Sequence, residues 1–247
     1  MQNMDQNNAV ISKEDEAEAK ELEGMFKAGV HFGYSRSRRH PKMEKYLFGI
    51  RNNVEVFDLS KVKAKLDEAS EFMKKMGAEH KMAVFVGTKP DISDIIEKIA
   101  REIEMPYTKN RWLGGLISNF PAMRKRMDYF ENLKQQQASG ELSKYTKKER
   151  LEIERDIAKL AKNFSGFTPL KKLPDVMIAV DPEAEKIAVK EAIDKNIPVI
   201  GIANSDSNPE LVTYIIPAND SSRTSVEHIL IKLAKAYKEG VASTIKN

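Results

Sequence analysis

Met82-Ala83-Val84-Phe85-Val86-Gly87 is a short apolar run with no polar break. A strand with one wet face alternates apolar and polar residues, whereas an unbroken run suits a strand buried on both faces. Asp91 to Ile103 follows with a helical pattern, placing Ile92, Ile95, Ile96 and Ile99 on one side. A short strand is expected around Pro106-Tyr107-Thr108, and the same alternation resumes after residue 174. Val176-Met177-Ile178-Ala179-Val180 reads as a strand, Glu183 to Asn196 as a helix and Pro198-Val199-Ile200-Gly201-Ile202 as a strand. Val212 to Ile216 gives a further short strand, and Ser222 to Glu239 a closing helix ended by Gly240. Strands alternating with helices in this way predict an α/β fold with a mostly parallel sheet covered on both faces.

Upstream of that core, Tyr46-Leu47-Phe48-Gly49-Ile50 and Val54-Glu55-Val56-Phe57 flank Asn52-Asn53. Asparagine tolerates the positive φ of a tight turn, so this is a hairpin signal. Asp58 or Ser60 can cap a helix running to about Gly77. Glu14 to Ala28 reads as an acidic amphipathic helix with Leu22, Met25 and Phe26 on one side, and residues 1–12 as a disordered polar tail.

The middle of the chain breaks the alternation. Ser118 to about Gln136 and Thr146 to about Asn163 are two helices with no strand between them. Ser118 is a good N-cap, Pro121 falls in the first turn, and Thr146-Lys147-Lys148-Glu149 is a capping box. Phe120, Met123, Met127 and Phe130 form one apolar stripe; Ile153, Ile157, Leu160 and Phe164 form the other. A short polar link makes the pair an antiparallel hairpin projecting from the α/β body. The division expected is therefore an α/β domain over 13–115 and 174–240, a helical insertion over 116–173 and a tail over 241–247.

Charge is sorted along these pieces. The 247-residue chain carries +4 overall, yet residues 31–51 alone carry +5 and residues 105–175 carry +7. Two basic segments on a slightly acidic remainder need an anionic partner more than the average composition suggests, and a phosphate backbone is the commonest one. The loop supplies Arg36, Arg38, Arg39, Lys42 and Lys45; the hairpin supplies Arg124, Lys125, Arg126, Lys147 and Lys148; Lys109 and Arg111 lie between strand and hairpin. The absence of cysteine excludes disulfides and thiolate chemistry and fits a reducing cytoplasm. No apolar run approaches a membrane span, and the N-terminus lacks the pattern of a signal peptide.

Other chemistries find weaker support. No cysteine or HExxH spacing supports zinc, so no metal is assigned. Asn204, Asp206, Asn208 and Asp220 could hold a hard cation, but residues of these types are more often turn formers and caps. Val86-Gly87-Thr88-Lys89 leaves a strand and enters a helix where α/β proteins cradle phosphates, without GxxxxGK[ST] or GxGxxG. Lys89 there could meet a nucleotide or RNA. No activated nucleophile stands out, so no catalytic residue and no cofactor is assigned. An enzyme for phosphorylated small molecules is one alternative, and a protein-only scaffold built on the hairpin is another. Trp112, in Arg111-Trp112-Leu113-Gly114-Gly115, reads as a packed hinge rather than an RNA-stacking ring.

An ordered set of motifs runs through these segments: Lys27-Ala28-Gly29-Val30-His31-Phe32-Gly33, Pro41-Lys42-Met43, Val86-Gly87-Thr88-Lys89, Arg111-Trp112-Leu113-Gly114-Gly115, Thr146-Lys147-Lys148-Glu149, Leu173-Pro174-Asp175 and Ile216-Pro217-Ala218-Asn219-Asp220. Together they resemble the bacterial small-subunit ribosomal protein S-two family over roughly residues 20–240. The resemblance implies a Rossmann- or flavodoxin-like α/β domain with an inserted coiled-coil hairpin. It implies binding to small-subunit ribosomal RNA, contact with other small-subunit proteins, docking of the large S-one protein, and no catalysis. Tyr34 departs from the family's usual second histidine, Arg39-His40 from a Trp-Asn pair, and Lys171-Lys172 from a glycine pair. Asn204-Ser205-Asp206-Ser207-Asn208 carries fewer acids than is common, which weakens a bound cation further. The RNA-contacting set expected is the loop and hairpin cations with Lys89, Lys109 and Arg111, and the acidic N-terminal helix is expected to face proteins.

Overall fold

The computed structural model describes residues 13–245. Helix α1 (Lys13–Lys27) leads to strand β1 (Phe32–Ser35). Two 3-10 turns, Arg36–Arg38 and Pro41–Tyr46, carry the chain to the hairpin of β2 (Leu47–Arg51) and β3 (Val54–Phe57). Then come α2 (Leu59–Ala78), β4 (Ala83–Val86), α3 (Pro90–Glu102) and β5 (Tyr107–Thr108). The paired helices are α4 (Phe120–Ala138) and α5 (Lys147–Phe164). Strand β6 (Val176–Val180), α6 (Lys186–Asp194), β7 (Val199–Ala203), β8 (Tyr214–Pro217) and α7 (Arg223–Ile245) complete the chain.

Five strands pair in the order β5-β4-β6-β7-β8, all parallel, while β1, β3 and β2 form a separate antiparallel sheet. The run that opens the sequence argument behaves as its composition requires. Ala83 and Phe85 point into the core beneath α2, α3 and α7, whereas Val84 and Val86 point into the core on the opposite face. In β6, Val176, Ile178 and Val180 join the first core and Met177 and Ala179 the second. This two-residue alternation between two dry faces is a Rossmann-like layered arrangement.

The second face is covered by α6, by the roots of α4 and α5, and by the linkers on either side of them. Trp112, Leu116, Ile117, Phe167 and Leu170 pack there with Met127, Phe130 and Phe164. Asn110 Nδ2 donates to the Lys162 carbonyl, and Arg124 Nη1 to the Leu170 carbonyl at 3.0 Å, so the end of α5 lies beside the start of α4. The hairpin is antiparallel, and its root shares the core of the sandwich.

Local chemistry explains several element ends. Asn52 and Asn53 take φ of 50° and 63°, the paired left-handed values that a two-residue hairpin turn demands. The Asp58 side chain accepts the Ser60 N–H and caps α2. Thr146 and Glu149 form both halves of a capping box at α5.

Three expected ends are corrected. Helix α4 starts at Phe120, behind Asn119, rather than on a Ser118 cap; Ser118 belongs to the preceding turn, its N–H taken by the distant carboxylate of Glu191 at 3.1 Å. Helix α6 starts at Lys186 rather than Glu183, because the Asp181 carboxylate holds the Ala184 N–H in a turn first. Helix α7 runs through Gly240 to Ile245, so residues 241–245 are helix rather than tail. Gly240 serves packing instead of termination: a Cβ there would run into the Lys74 carbonyl of α2, as one on Gly77 would into Tyr237 of α7. The tail expected over 1–12 lies outside the described residues, as do residues 246 and 247.

Candidate nucleic-acid interface

The parallel strands end on a common side, where the loops after β4, β6 and β8 meet. From β4 the chain crosses outward to β5, and from β6 it crosses the other way to β7. The crevice between β4 and β6 is thus the switch point at which open α/β sheets take ligands. Here the chain fills it from within. The Glu185 carboxylate accepts the Thr88 N–H at 2.9 Å and the Thr88 hydroxyl at 2.5 Å. Lys89 Nζ lies 2.6 Å from Asp181 and 3.1 Å from the wholly buried Asp220. A carboxylate stands where a bound phosphate would seek the turn's N–H, and the lysine charge is already balanced.

The titration of these groups follows from that packing. Burial works against the Lys89 charge, but the carboxylates of Asp220 and Asp181 outweigh it and hold the lysine above its ordinary pKa. Burial pushes Glu185, Asp206 and Asp220 upward. Lys89, expected at a phosphate, is thus paired within the chain by Asp181 and Asp220. Of the residues considered for a cation, Asn204 donates to Asp220 at 3.0 Å and Asn208 caps the 3-10 turn at Pro209–Leu211. Both serve as turn and network formers.

The basic loop is pinned to this cluster. The His40 N–H donates to the Ser205 carbonyl at 2.8 Å and the Tyr34 N–H to the Ser205 hydroxyl at 2.9 Å. The Tyr34 hydroxyl lies 2.7 Å from that of Ser221, next to Asp220. Arg39 turns inward, 3.6 Å from both Glu44 and Glu55, the latter only 1% exposed. Lys42 pairs with Glu210. Arg36, Arg38 and Lys45 are left facing outward with no acidic partner among the described residues. The Arg38 guanidinium sits 5.3 Å from the Tyr34 ring, and Lys45 lies 5.0 Å from that of Tyr46.

The hairpin divides in the same way. Lys109 pairs with Glu97, while Arg124 is bound to Asp128 and the Leu170 carbonyl. Arg150 is half-buried. Arg111, Lys125, Arg126, Lys147 and Lys148 are exposed and have no acidic partner among the described residues. The structure therefore does not gather the expected residues into one patch. It separates cations paired within the chain (Arg39, Lys42, Lys89, Lys109, Arg124) from open cations on the loop, the hinge and the hairpin.

The hinge itself is set by a residue that the sequence pattern did not mark. Glu191 of α6 accepts the N–H groups of Gly115, Ile117 and Ser118 at 2.6, 3.0 and 3.1 Å. Burial raises its pKa, but these three donors outweigh burial and hold the carboxyl below the ordinary range. Trp112 packs beside it, edge-on to Phe167 with ring centres 6.3 Å apart, as the hinge reading expects. Asp181 and Glu185 are likewise unmarked by the sequence pattern, and Tyr34 is marked there only as a departure from the family. Asp181 alone had a legible signal, since it follows directly on a buried strand.

A second surface is apolar. Phe26, Phe32, Phe48 and Ile50 are all exposed, Phe48 by 81%, around a cleft of about 440 Å³ at the antiparallel sheet. His31 is stacked against Phe26 with ring centres 4.4 Å apart and tilted against Phe32 at 4.0 Å, and burial lowers its pKa. Helix α1 ends at this cleft. Among the described residues no helix is long and apolar enough to cross a membrane.

The family described as Ribosomal protein S2 matches residues 25–240, taking in sheet, loop and hairpin alike. The chain belongs to the ribosomal protein S2 family. It is similar to the small ribosomal subunit protein uS2 of Dictyoglomus thermophilum, with 42% identity over 219 residues and 89% of each chain covered. The protein of the same name from Fusobacterium nucleatum is 40% identical over 220 residues, again covering 89% of each. That of Thermus thermophilus is 40% identical over 206 residues, covering 83% of this chain and 80% of the relative. Ribosomal S2 proteins are structural and not enzymatic, and this chain shares that character. The alternative of a small-molecule enzyme built on Gly87-Thr88-Lys89 is thereby set aside.

Proposed function

We propose that this chain is a structural component of the small ribosomal subunit in the cytoplasm, held to ribosomal RNA by two separate sets of cations. One set is Arg36, Arg38 and Lys45 on the pinned loop. The other is Lys125, Arg126, Lys147 and Lys148 on the hairpin, with Arg111 at the hinge between them. The observation that carries this reading is the sorting of charge: the remaining loop and hinge cations are spent on the protein's own carboxylates and carbonyls, while these point outward. Contacts of this kind fix position and carry little sequence information; the shape of folded RNA supplies specificity. Arg39, Lys42 and Lys109 pair with the chain's own carboxylates, and Arg124 with Asp128 and the Leu170 carbonyl.

The apolar cleft supports a protein contact as well. Phe26, Phe32 and Phe48 form an exposed aromatic patch of the sort that marks protein interaction sites. Neighbouring small-subunit proteins, among them the large S-one protein, are its proposed occupants, and α1 borders the site.

Sedimentation of tagged protein through a sucrose gradient at low and raised salt tests the RNA reading. Co-migration with the small subunit, lost when Arg36, Arg38, Lys125 and Arg126 are all changed to Glu, supports it. Wild-type protein remaining at the top of the gradient at low salt would overturn it.

A further inference from the structure

The hairpin tip carries a feature that phosphate binding leaves unexplained. Tyr145 is 36% exposed and packs into neither core. It sits in extended backbone (φ −88°, ψ 156°) between the 3-10 turn Glu141–Lys144 and the start of α5. Its backbone is fixed on both sides. The Tyr145 N–H donates to the Leu142 carbonyl at 3.2 Å, and Leu142 is itself buried. The next residue is Thr146, whose capping box closes the helix end. Hydrogen bonds on both sides thus hold the backbone that carries this partly exposed ring.

Its surroundings are cationic. The Lys144 ammonium lies 5.5 Å from the ring centre. Lys147 and Lys148, in the first turn of α5, are exposed without acidic partners among the described residues. The acid of that turn, Glu149, is occupied by Thr146. A partly exposed ring on fixed backbone, with one lysine against it and two more in the adjoining helical turn, is an arrangement on which an unpaired base stacks while its phosphates meet the cations.

We propose that Tyr145 is a base-stacking residue, and that the hairpin tip binds an unstacked nucleotide of the small-subunit ribosomal RNA. The site rests on the RNA reading above and adds a contact of different chemistry to it. Helix α4 spans 19 residues, about 28 Å at the helical rise, so the tip reaches RNA well away from the loop. A stack releases few counterions, so its loss lowers affinity without changing the salt slope, whereas loss of a lysine changes both.

The test measures binding of the full-length chain to purified small-subunit ribosomal RNA across a salt series. It is paired with ultraviolet cross-linking read out on the peptide that contains Tyr145. Expected are a loss of about 5- to 150-fold for Tyr145→Ala, near-wild-type binding for Tyr145→Phe, equal salt slopes for both, and a nucleotide adduct on Tyr145. Wild-type affinity for Tyr145→Ala, or cross-links from Tyr145 only to other proteins in assembled subunits, would overturn the stacking site. If Arg36→Glu with Arg38→Glu still weakens binding in that case, the RNA reading stands without it. Failure of the wild-type chain to bind RNA at low salt would overturn both.

Discussion

Lys89 and Lys125 carry the same charge and live under opposite conditions. Lys89 stands at the mouth of the parallel sheet, where a phosphate ligand would be sought, and is enclosed by Asp181 and Asp220. Lys125 stands on a helix face with no acid in reach among the described residues. The first holds the protein together, and the second is available to a partner. The contrast shows that a cation in the expected place is not evidence of a ligand until its own chain's carboxylates have been accounted for. It also shows why charge summed over a segment points to the right region and yet includes residues that do not take part.

The sharpest way to break the contrast is to remove cations from each side. Replacing Arg36, Arg38, Lys125, Arg126, Lys147 and Lys148 with Gln should lower the log–log salt slope of RNA binding by up to about one unit per residue. The urea midpoint should stay where it is. A shifted midpoint with an unchanged slope would reverse the assignment of the two groups. Lys89→Ala should do the opposite. It strands Asp220 in the interior, and removing one partner of a buried ion pair costs about 3 kcal/mol or more, read in urea unfolding. The salt slope of RNA binding should not move.

Titration sharpens the same division. Glu185 has its pKa raised in the folded protein by burial, so folding takes up protons as the pH falls through that raised value. Its contribution to stability is therefore present at low pH and is lost as the pH rises through the folded pKa. The stability of Glu185→Gln relative to wild type should be higher near pH 8 than near pH 5, by thermal or urea unfolding at each pH; the reverse order would contradict the burial argument. Lys89 is also raised, and its contribution holds through neutral pH and is lost only in strong alkali. The smallest effect is expected from Tyr34→Phe. It removes the 2.7 Å hydroxyl contact with Ser221 and should cost about 1 kcal/mol in unfolding, leaving RNA affinity nearly intact.

Much of the fold could be read before the structure because its signals are local. A strand buried on both faces is an apolar run wherever it occurs, and Asn52-Asn53 or Thr146–Glu149 need only their near neighbours. The misread ends depend on distant partners. Nothing near Ser118 announces that Glu191, 73 residues later, will take its N–H. Gly240 looks like a helix stop until the backbone of Lys74 is seen against it. The site was legible to the same degree. The basic loop and hairpin were found by charge, but the split into anchors and open cations waited on the positions of Glu55, Glu97, Asp128, Asp181 and Glu210. The aromatic cleft was hidden because its members come from α1, β1 and β2 and meet only in the folded chain.

The shared core beneath the hairpin has a consequence for how such a chain can be shortened over generations. Because Met127, Phe130 and Phe164 belong to the same apolar cluster as Val84, Val86 and Met177, the two helices are not a detachable arm. Pruning can proceed from the tip inward, losing reach a turn at a time. It must halt where those three side chains begin, unless some other element arrives to shelter the sheet. The inner turns of the hairpin are thus held in place by the sandwich they cover, whatever the tip is selected to touch.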